Sequence, residues 1–179
     1  FDPNADPTME LRTALPTDVP TIQSIYGHHV LDGLGTFETE PPSVDEMRSR
    51  HTQITAEGFP SLVAVDVGKV VGYAYANHFR TRAAYRYTVE DSVYVAPAAI
   101  GRGVGKALLN ELCTRCASQG LRQMLAVIGD TGNAGSIGVH RACGFEHAGV
   151  LKAVGRKFDR WVDVVLMQRA LAGDDSAPR

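Results

Sequence analysis

Only three cysteines occur in the 179 residues, an odd number. Cys113 and Cys116 have Cys-x-x-Cys spacing. Zinc would need two further ligands, and no matching His or Cys pair accompanies them. Reduced thiols packed in a cytosolic core are the expectation. An excess of one charge is also missing. The formal net charge is −2, which leaves no basic field to hold nucleic acid and no strong acidity to repel it. No apolar run approaches the roughly 20 residues of a membrane span. Phe1–Thr8 is polar and proline-bearing, unlike a secretory signal. It precedes Met9 and reads as an added or flexible tail, as do residues 172–179. Internal repeats and low-complexity segments are absent. What remains, 9–171, has the apolar content of an ordinary globular protein and suffices for one domain with a real core.

Alternating and helical periodicities divide that stretch into elements. Met9–Ala14 reads as a strand. Thr17 caps a helix with Asp18 in its first turn, Pro20 near its start and Val19, Ile22, Ile25 and Tyr26 on its apolar face. Residues 33–39 form a loop, and Ser43 with Glu46 makes a capping-box pattern for a second helix. Leu62–Val67 and Val70–Phe79 read as strands joined through Gly68-Lys69. Tyr87–Val95 is a further strand. Val104, Ala107, Leu108 and Leu112 define the buried stripe of a helix that Gly120 ends. Leu121–Ile128 is a strand, Ala134–Cys143 a short helix stopped by Gly144, and Phe145–Val154 and Trp161–Leu171 are two long strands. This order predicts an α/β fold, a mixed sheet with helices on both faces.

The most informative stretch runs from Val93 to Leu109: a strand, a turn carrying Gly101, Gly103 and Gly105, and a helix start. Glycines at alternate positions let backbone N–H groups turn inward, and the helix behind adds unpaired donors and the positive end of its dipole. The result is an anion pocket of pyrophosphate size. A Walker A loop is excluded, because Ile100 stands at its first glycine and Ala107 at its hydroxyl position. A dinucleotide fingerprint fails too, because its last glycine falls on Lys106 or Leu108. A loop that holds coenzyme A through backbone amides without metal remains, beside a plain flexible turn.

This loop resembles the Gln/Arg-x-x-Gly-x-Gly/Ala loop of the GNAT superfamily of acyl-CoA N-acyltransferases. Gly103 and Gly105 match, Ile100 departs at the leading basic position, and Arg102 stands nearby for the phosphates. Downstream, Asn133 to Phe145 is similar to the family's Asn-x-x-Ala/Ser…Tyr-x-x-x-Gly-Phe segment, with His140 where the tyrosine commonly stands. Residues 35–41, 84–95 and 161–169 resemble the phosphinothricin and methionine sulfoximine acetyltransferase branch. The resemblance spans Met9 to about Leu171. It implies a mostly antiparallel central sheet with a splayed strand pair that binds acetyl-CoA as cosubstrate. It further implies a cytoplasmic homodimer that acetylates the amino group of a small amino acid or analogue, by direct attack in a ternary complex.

Such a reaction sets chemical requirements. An α-amino group with a pKa of about 8 must lose a proton before it attacks. Glu90 is the candidate base, directly or through water, provided burial raises its pKa. A backbone N–H of Tyr94 or Val95 is the expected oxyanion donor. His140 is either the acid for the leaving thiolate or a structural group. By the resemblance, the cosubstrate contacts Val93, Tyr94, Val95, Ile100, Gly101, Arg102, Gly103, Val104, Gly105, Lys106, Asn133 and Ser136. Arg80, Arg82 and Arg86 gather before Glu90, and guanidinium forks suit the carboxylate or phosphinate of an amino-acid acceptor. Arg82 and Arg80 are the favoured pair, with Phe37, Tyr85 and Tyr87 as pocket walls. His28 and His29, adjacent on a helix, point about 100° apart and do not chelate; no metal is expected. Three other readings stay open: an acetyltransferase for a protein N-terminus or polyamine, a non-catalytic CoA sensor, and an interaction domain using the 145–171 hairpin.

Overall fold

The computed structural model describes residues 9–171; the two expected tails lie outside the described residues. Seven strands form one sheet: β1 (Met9–Thr13), β2 (Ser61–Asp66), β3 (Lys69–His78), β4 (Thr88–Val95), β5 (Gln123–Gly129), β6 (Glu146–Lys157) and β7 (Arg160–Ala170). Their spatial order is β1-β2-β3-β4-β5-β7-β6. Every neighbouring pair is antiparallel except β4 and β5. Four helices cover it: α1 (Val19–Asp32), α2 (Val44–Ala56), α3 (Val104–Ser118) and α4 (Ala134–Ala142). The expected mixed, mostly antiparallel sheet with helices on both faces is what forms.

Two apolar clusters lie on the two faces. On one, Val19, Ile22, Ile25, Tyr26 and Val30 of α1 and Met47 of α2 pack on Val63, Val65 and Tyr73. On the other, Leu108, Leu109, Leu112, Cys113 and Cys116 of α3 pack on Leu62, Ala74, Val89, Met124 and Met167. Leu62, Leu108, Leu109, Leu112, Met124 and Met167 are fully buried, each contributing about 1.5–3 kcal/mol of transfer free energy. Cys113 and Cys116 extend the helix stripe, which explains their spacing: three residues apart on a helix is one face. Gly72 sets how closely α3 approaches the sheet. A Cβ there would meet Val104 Cγ1 at 2.9 Å and Leu108 Cδ1 at 3.1 Å.

Several local expectations need correction. The β2–β3 turn is Val67-Gly68, not Gly68-Lys69, because Asp66 pairs with Lys69. A two-residue hairpin loop of this hand needs positive φ at both positions, and Val67 (φ 47°) and Gly68 (φ 74°) comply. Helix α1 begins at Val19 rather than after Thr17, behind a short 3₁₀ turn at Pro16–Asp18. The Asp18 carboxylate accepts from Leu15 N at 2.7 Å and from Arg12 at 2.7 and 2.9 Å. Strand β6 runs on to Lys157, past an irregularity between Leu151 and Gly155.

The parallel pair positions the site. β4 and β5 pair only at Thr88–Gln123, Val89–Met124 and Glu90–Leu125. Beyond Glu90 the strands diverge, so the edge of β4 from Asp91 to Val95 opens onto a cleft. Ladder phase decides which groups face it. Phe79 N bonds Thr88 O and Ala96 N bonds Val71 O, so even-numbered β4 residues bond β3. Asp91, Val93 and Val95 therefore turn their N–H and C=O groups toward the cleft.

Candidate active site

The glycine turn stands at the end of that open edge. Pro97–Ala99 form a 3₁₀ turn, and Gly101 (φ 83°) and Gly103 (φ 78°) adopt left-handed conformations before α3 starts. Nothing lies within 4 Å of a Cβ built on either, so open space fronts the turn where the helix begins. Gly105 lies inside α3 itself. It is a buried helical residue, and a Cβ there would contact Val95 and Val139 at 3.5–3.8 Å. Ile100, the departure in the motif, is exposed. Arg102 Nη1 lies 2.9 Å from Asp66 Oδ2. The Lys106 carbonyl accepts the Cys143 thiol at 3.7 Å. The turn and helix start thus have the open, donor-rich shape that a diphosphate requires.

Adjacent β4 residues point to opposite faces. Val89 and Val93 pack in the α3-side cluster, and Tyr94 packs in the α1-side cluster. Glu90 therefore faces the α1 side with Ser92 and Tyr94, and Asp91 faces α4. Glu90 is half-buried, and burial, followed by the charge of Asp91, raises its pKa to about 7. Tyr75 of β3 stands beside it and hydrogen-bonds Ser92. Tyr75, Tyr73 and Tyr94 form a stacked array, and Tyr26 meets Tyr94 edge-on at 5.0 Å.

His140 sits on the other face. Its Nε2 is 2.8 Å from Asp91 Oδ2, and its Nδ1 is 2.7 Å from the Ser136 carbonyl oxygen. Asn133 caps α4 by accepting from Ser136 N at 3.2 Å, and its Nδ2 donates to the Gly129 carbonyl at 3.4 Å. Asn133 and Ser136 thus flank the end of β5 at the cleft. His29 Nε2 donates to the Val95 carbonyl at 2.8 Å, and burial keeps its pKa below the ordinary imidazole value. His28 instead pairs with Asp32 at 3.0 Å. Of the two amides considered for the oxyanion, Val95 N–H faces the cleft and Tyr94 N–H faces β3.

The expected acceptor residues separate into two groups. Arg80, Thr81, Arg82 and Tyr85 line an open cavity of about 400 Å³ in the segment before β4. Arg80 lies over the rings of Phe79 and Tyr85 at 5.2 and 5.9 Å, and Arg86 over Tyr87 at 4.5 Å. Arg80, Arg82, Tyr85 and Tyr87 are exposed. Phe37 is at the far end of the parallel pair, against Gly129 of β5 and Gly155 of β6. Glu90, Ser92 and Tyr94 occupy the face between these two groups.

One structural set escaped the reading of the sequence. Thr36, next to Phe37, is buried and is held from three elements. Its Oγ1 bonds the Tyr26 hydroxyl at 2.8 Å. Its carbonyl accepts from Lys157 Nζ at 2.9 Å. Its neighbour Glu38 accepts from the Tyr26 hydroxyl and from both Nη atoms of Arg50 at 2.8 and 2.9 Å. The Arg50 fork, more than any other partner, holds Glu38 below the usual carboxylate range, and burial lowers the Lys157 pKa. Only the run of buried-type and charged residues in 36–50 and 157 hinted at this, and no spacing rule links positions so far apart.

Comparison with known proteins agrees with this geometry. The acetyltransferase (GNAT) family matches residues 23–145. The chain is 54% identical over 169 residues to phosphinothricin N-acetyltransferase of Alcaligenes faecalis, covering 94% of this chain and 86% of that protein. It is 40% identical to the L-methionine sulfoximine/L-methionine sulfone acetyltransferase of Pseudomonas aeruginosa, covering 94% of this chain and 98% of that protein. Among solved structures, a GNAT superfamily phosphinothricin acetyltransferase from Sinorhizobium meliloti in complex with acetyl-CoA superposes with a TM-score of 0.91 at 50% identity, covering 96% of this chain and 94% of that one. By this family match over most of its length and by its identity to these acetyltransferases, the chain belongs to the GNAT family of acetyltransferases.

Proposed function

We propose that the protein transfers an acetyl group from acetyl-CoA to the α-amino group of a small amino acid of the phosphinothricin or methionine sulfoximine and sulfone type, in a ternary complex. The observation that carries this reading is Glu90, half-buried at the point where β4 and β5 part, with a pKa near 7. A base so tuned matches an ammonium of pKa about 8 far better than an ordinary carboxylate does. The proton passes from the acceptor nitrogen to Glu90, directly or through one water. The freed lone pair then attacks the thioester carbonyl, the C–N bond forms, the C–S bond breaks to release the thiolate, and the second proton shed by the nitrogen passes to that thiolate to give the free thiol.

The other residues support this sequence in distinct ways. The N–H groups between Ile100 and Lys106 receive the diphosphate, with Gly101 and Gly103 giving it access. Asn133 and Ser136 border the pantetheine arm. Val95 N–H, directed into the cleft, stabilises charge on the carbonyl oxygen as nitrogen adds. Arg82 and Arg80 take the acceptor's anionic group by two-point hydrogen bonding, and Phe37, Tyr85 and Tyr87 bound its side chain. His140 has acceptors at both ring nitrogens, so we assign it the structural of its two roles. The thiolate, with a solution pKa of about 8.5, leaves without strong acid assistance. We further propose a cytoplasmic homodimer.

The arginine segment favours an anionic acceptor over a polyamine, which would want an acidic pocket. An acetyl-CoA-dependent thiol-release assay tests the reading, run across free amino acids and their sulfone, sulfoximine and phosphinate analogues. Turnover on the analogues, reduced about 10²- to 10⁴-fold but still measurable in Glu90→Gln, is expected. Tight acetyl-CoA binding with no turnover on any amine would identify a CoA sensor instead, and turnover only on peptide N-termini would assign a different acceptor.

A further inference from the structure

The reverse face of β4, behind Glu90, carries a buried ion pair that the reaction above does not use. Asp91 and His140 are 7% and 4% exposed. A carbonyl oxygen and a carboxylate both only accept, so the His140 ring donates from both nitrogens and carries a positive charge. Burial opposes that charge, but Asp91 and the Ser136 carbonyl outweigh it and hold the His140 pKa above the ordinary imidazole value. Asp91 Oδ1 is buried with no hydrogen-bond partner. Around the carboxylate stand Cys113 and Cys116 of α3 and Cys143 beyond α4, all thiols raised chiefly by burial. Arg169 of β7 and Lys106 of α3 face Cys143.

As a fold-stabilising device this arrangement is poor. A buried pair gains little over apolar residues of the same volume, and an unfilled buried acceptor is a direct cost. Its consequence is electrostatic: it fixes a negative charge one residue from Glu90, across the thickness of the strand, in apolar surroundings where screening is weak. Tyr75 is the titratable group facing Glu90 from β3.

We propose that Asp91 is a positioning residue acting through Glu90: its charge keeps Glu90 a strong enough base to take the acceptor's proton, and His140 partly balances that charge. The inference rests on Glu90 being the base. The pair works as two opposed settings: the carboxylate strengthens the base, and the imidazolium limits how far.

The pH profile of kcat/KM for acetyl transfer tests this in the full chain with four proteins: wild type, Glu90→Gln, Asp91→Asn and His140→Asn. Glu90→Gln is expected to lose the acidic limb. Asp91→Asn is expected to move that limb to lower pH by about one unit, a tenfold change in proton affinity. His140→Asn, leaving Asp91 without its counter-ion, is expected to move it to higher pH. A merely structural pair would lower activity at every pH and leave the limb in place, and that result in both variants would overturn the proposal. So would loss of an alkaline limb in His140→Asn with the acidic limb unmoved, which would make His140 the acid. Should Asp91→Asn fold poorly, carboxyl carbon NMR of Glu90 in His140→Asn reads the same quantity, with an upward shift expected and an unmoved titration overturning it. If Glu90→Gln keeps the acidic limb, the base reading itself fails; if it loses the limb and the other two variants do not move it, only the present proposal fails.

Discussion

The ring of Phe37 lies directly against the backbone of Gly155. A Cβ built on Gly155 would stand 2.6 Å from both Cδ2 and Cζ of the ring. On the neighbouring strand, a Cβ on Gly129 would overlap the Leu34 carbonyl and come within 3.1 Å of Phe37 Cε1. Two strands thus present bare backbone where the 33–38 loop crosses the end of the cleft.

Gly155→Ala is the sharpest probe of that contact, because the ring cannot keep its present position beside an added Cβ. The loop must lift or the ring must swing out. If Phe37 bounds the acceptor, the KM for the amino acid rises about tenfold, as expected for about 1.4 kcal/mol of lost binding, and the KM for acetyl-CoA stays unchanged. Steady-state kinetics with each substrate varied in turn checks this.

Lys157→Met removes the donor to the Thr36 carbonyl and leaves a buried acceptor unpaired. The expected loss is about 1–3 kcal/mol in urea unfolding. The same variant should speed amide exchange of residues 36–38 more than that of β3, because the tie to β6 is one of three that hold the loop. Uniform acceleration across the sheet would contradict a local role.

Glu38 makes stability pH-dependent in a definite direction. Its carboxylate is held below the ordinary range by the Arg50 fork first and by the Tyr26 hydroxyl. A carboxylate with a lowered folded-state pKa stabilises the fold above its unfolded value of about 4.5, and the stabilisation disappears as pH falls through the lower folded value. Glu38→Gln should therefore cost stability at pH 7, by no more than about 1 kcal/mol given the partial exposure of both partners, and less at pH 3, below the unfolded value. Denaturant midpoints at the two pH values decide it.

Glu90 has the opposite sign. Its folded pKa of about 7 lies above the unfolded value, so between about 4.5 and 7 the folded chain binds more protons than the unfolded one and stability falls as pH rises. Glu90→Gln should slow turnover about 10²- to 10⁴-fold and yet raise stability at pH 8 by about 1–2 kcal/mol, allowing for partial solvation, with no gain at pH 4. Thermal melts of both proteins at the two pH values check this; a loss of stability at pH 8 would show that the carboxylate is not held against its preference.

Much of the scaffold was legible because its signals are local. The helix stripes of α1 and α3, the glycine turn and the β4–α3 order follow from residues close in sequence. That Glu90 lies on the strand leading into that turn was legible in the same way. The β2–β3 turn was misplaced because a β-branched residue rarely adopts positive φ, and only the Asp66–Lys69 register compels Val67 to do so. Gly105 shares the alternate spacing of the loop glycines, but its place inside α3 against Val95 and Val139 was not legible from that spacing. What the sequence could not disclose is long-range. Asp91 and His140 are 49 residues apart, and Thr36 and Lys157 are 121 apart. Each pair depends on strand order, and on β7 inserting between β5 and β6. The same order places Phe37 and the arginine segment on opposite sides of Glu90, an arrangement no local pattern discloses.

The most direct measurement is a crystal structure with acetyl-CoA and an unreactive analogue of the phosphinothricin-type acceptor. The diphosphate should rest on the N–H groups between Ile100 and Lys106, with the thioester carbonyl near Val95 N–H and the acceptor nitrogen within one water of the Glu90 carboxylate. A diphosphate seated away from that turn, or a Glu90 side chain directed into bulk solvent, would contradict the account.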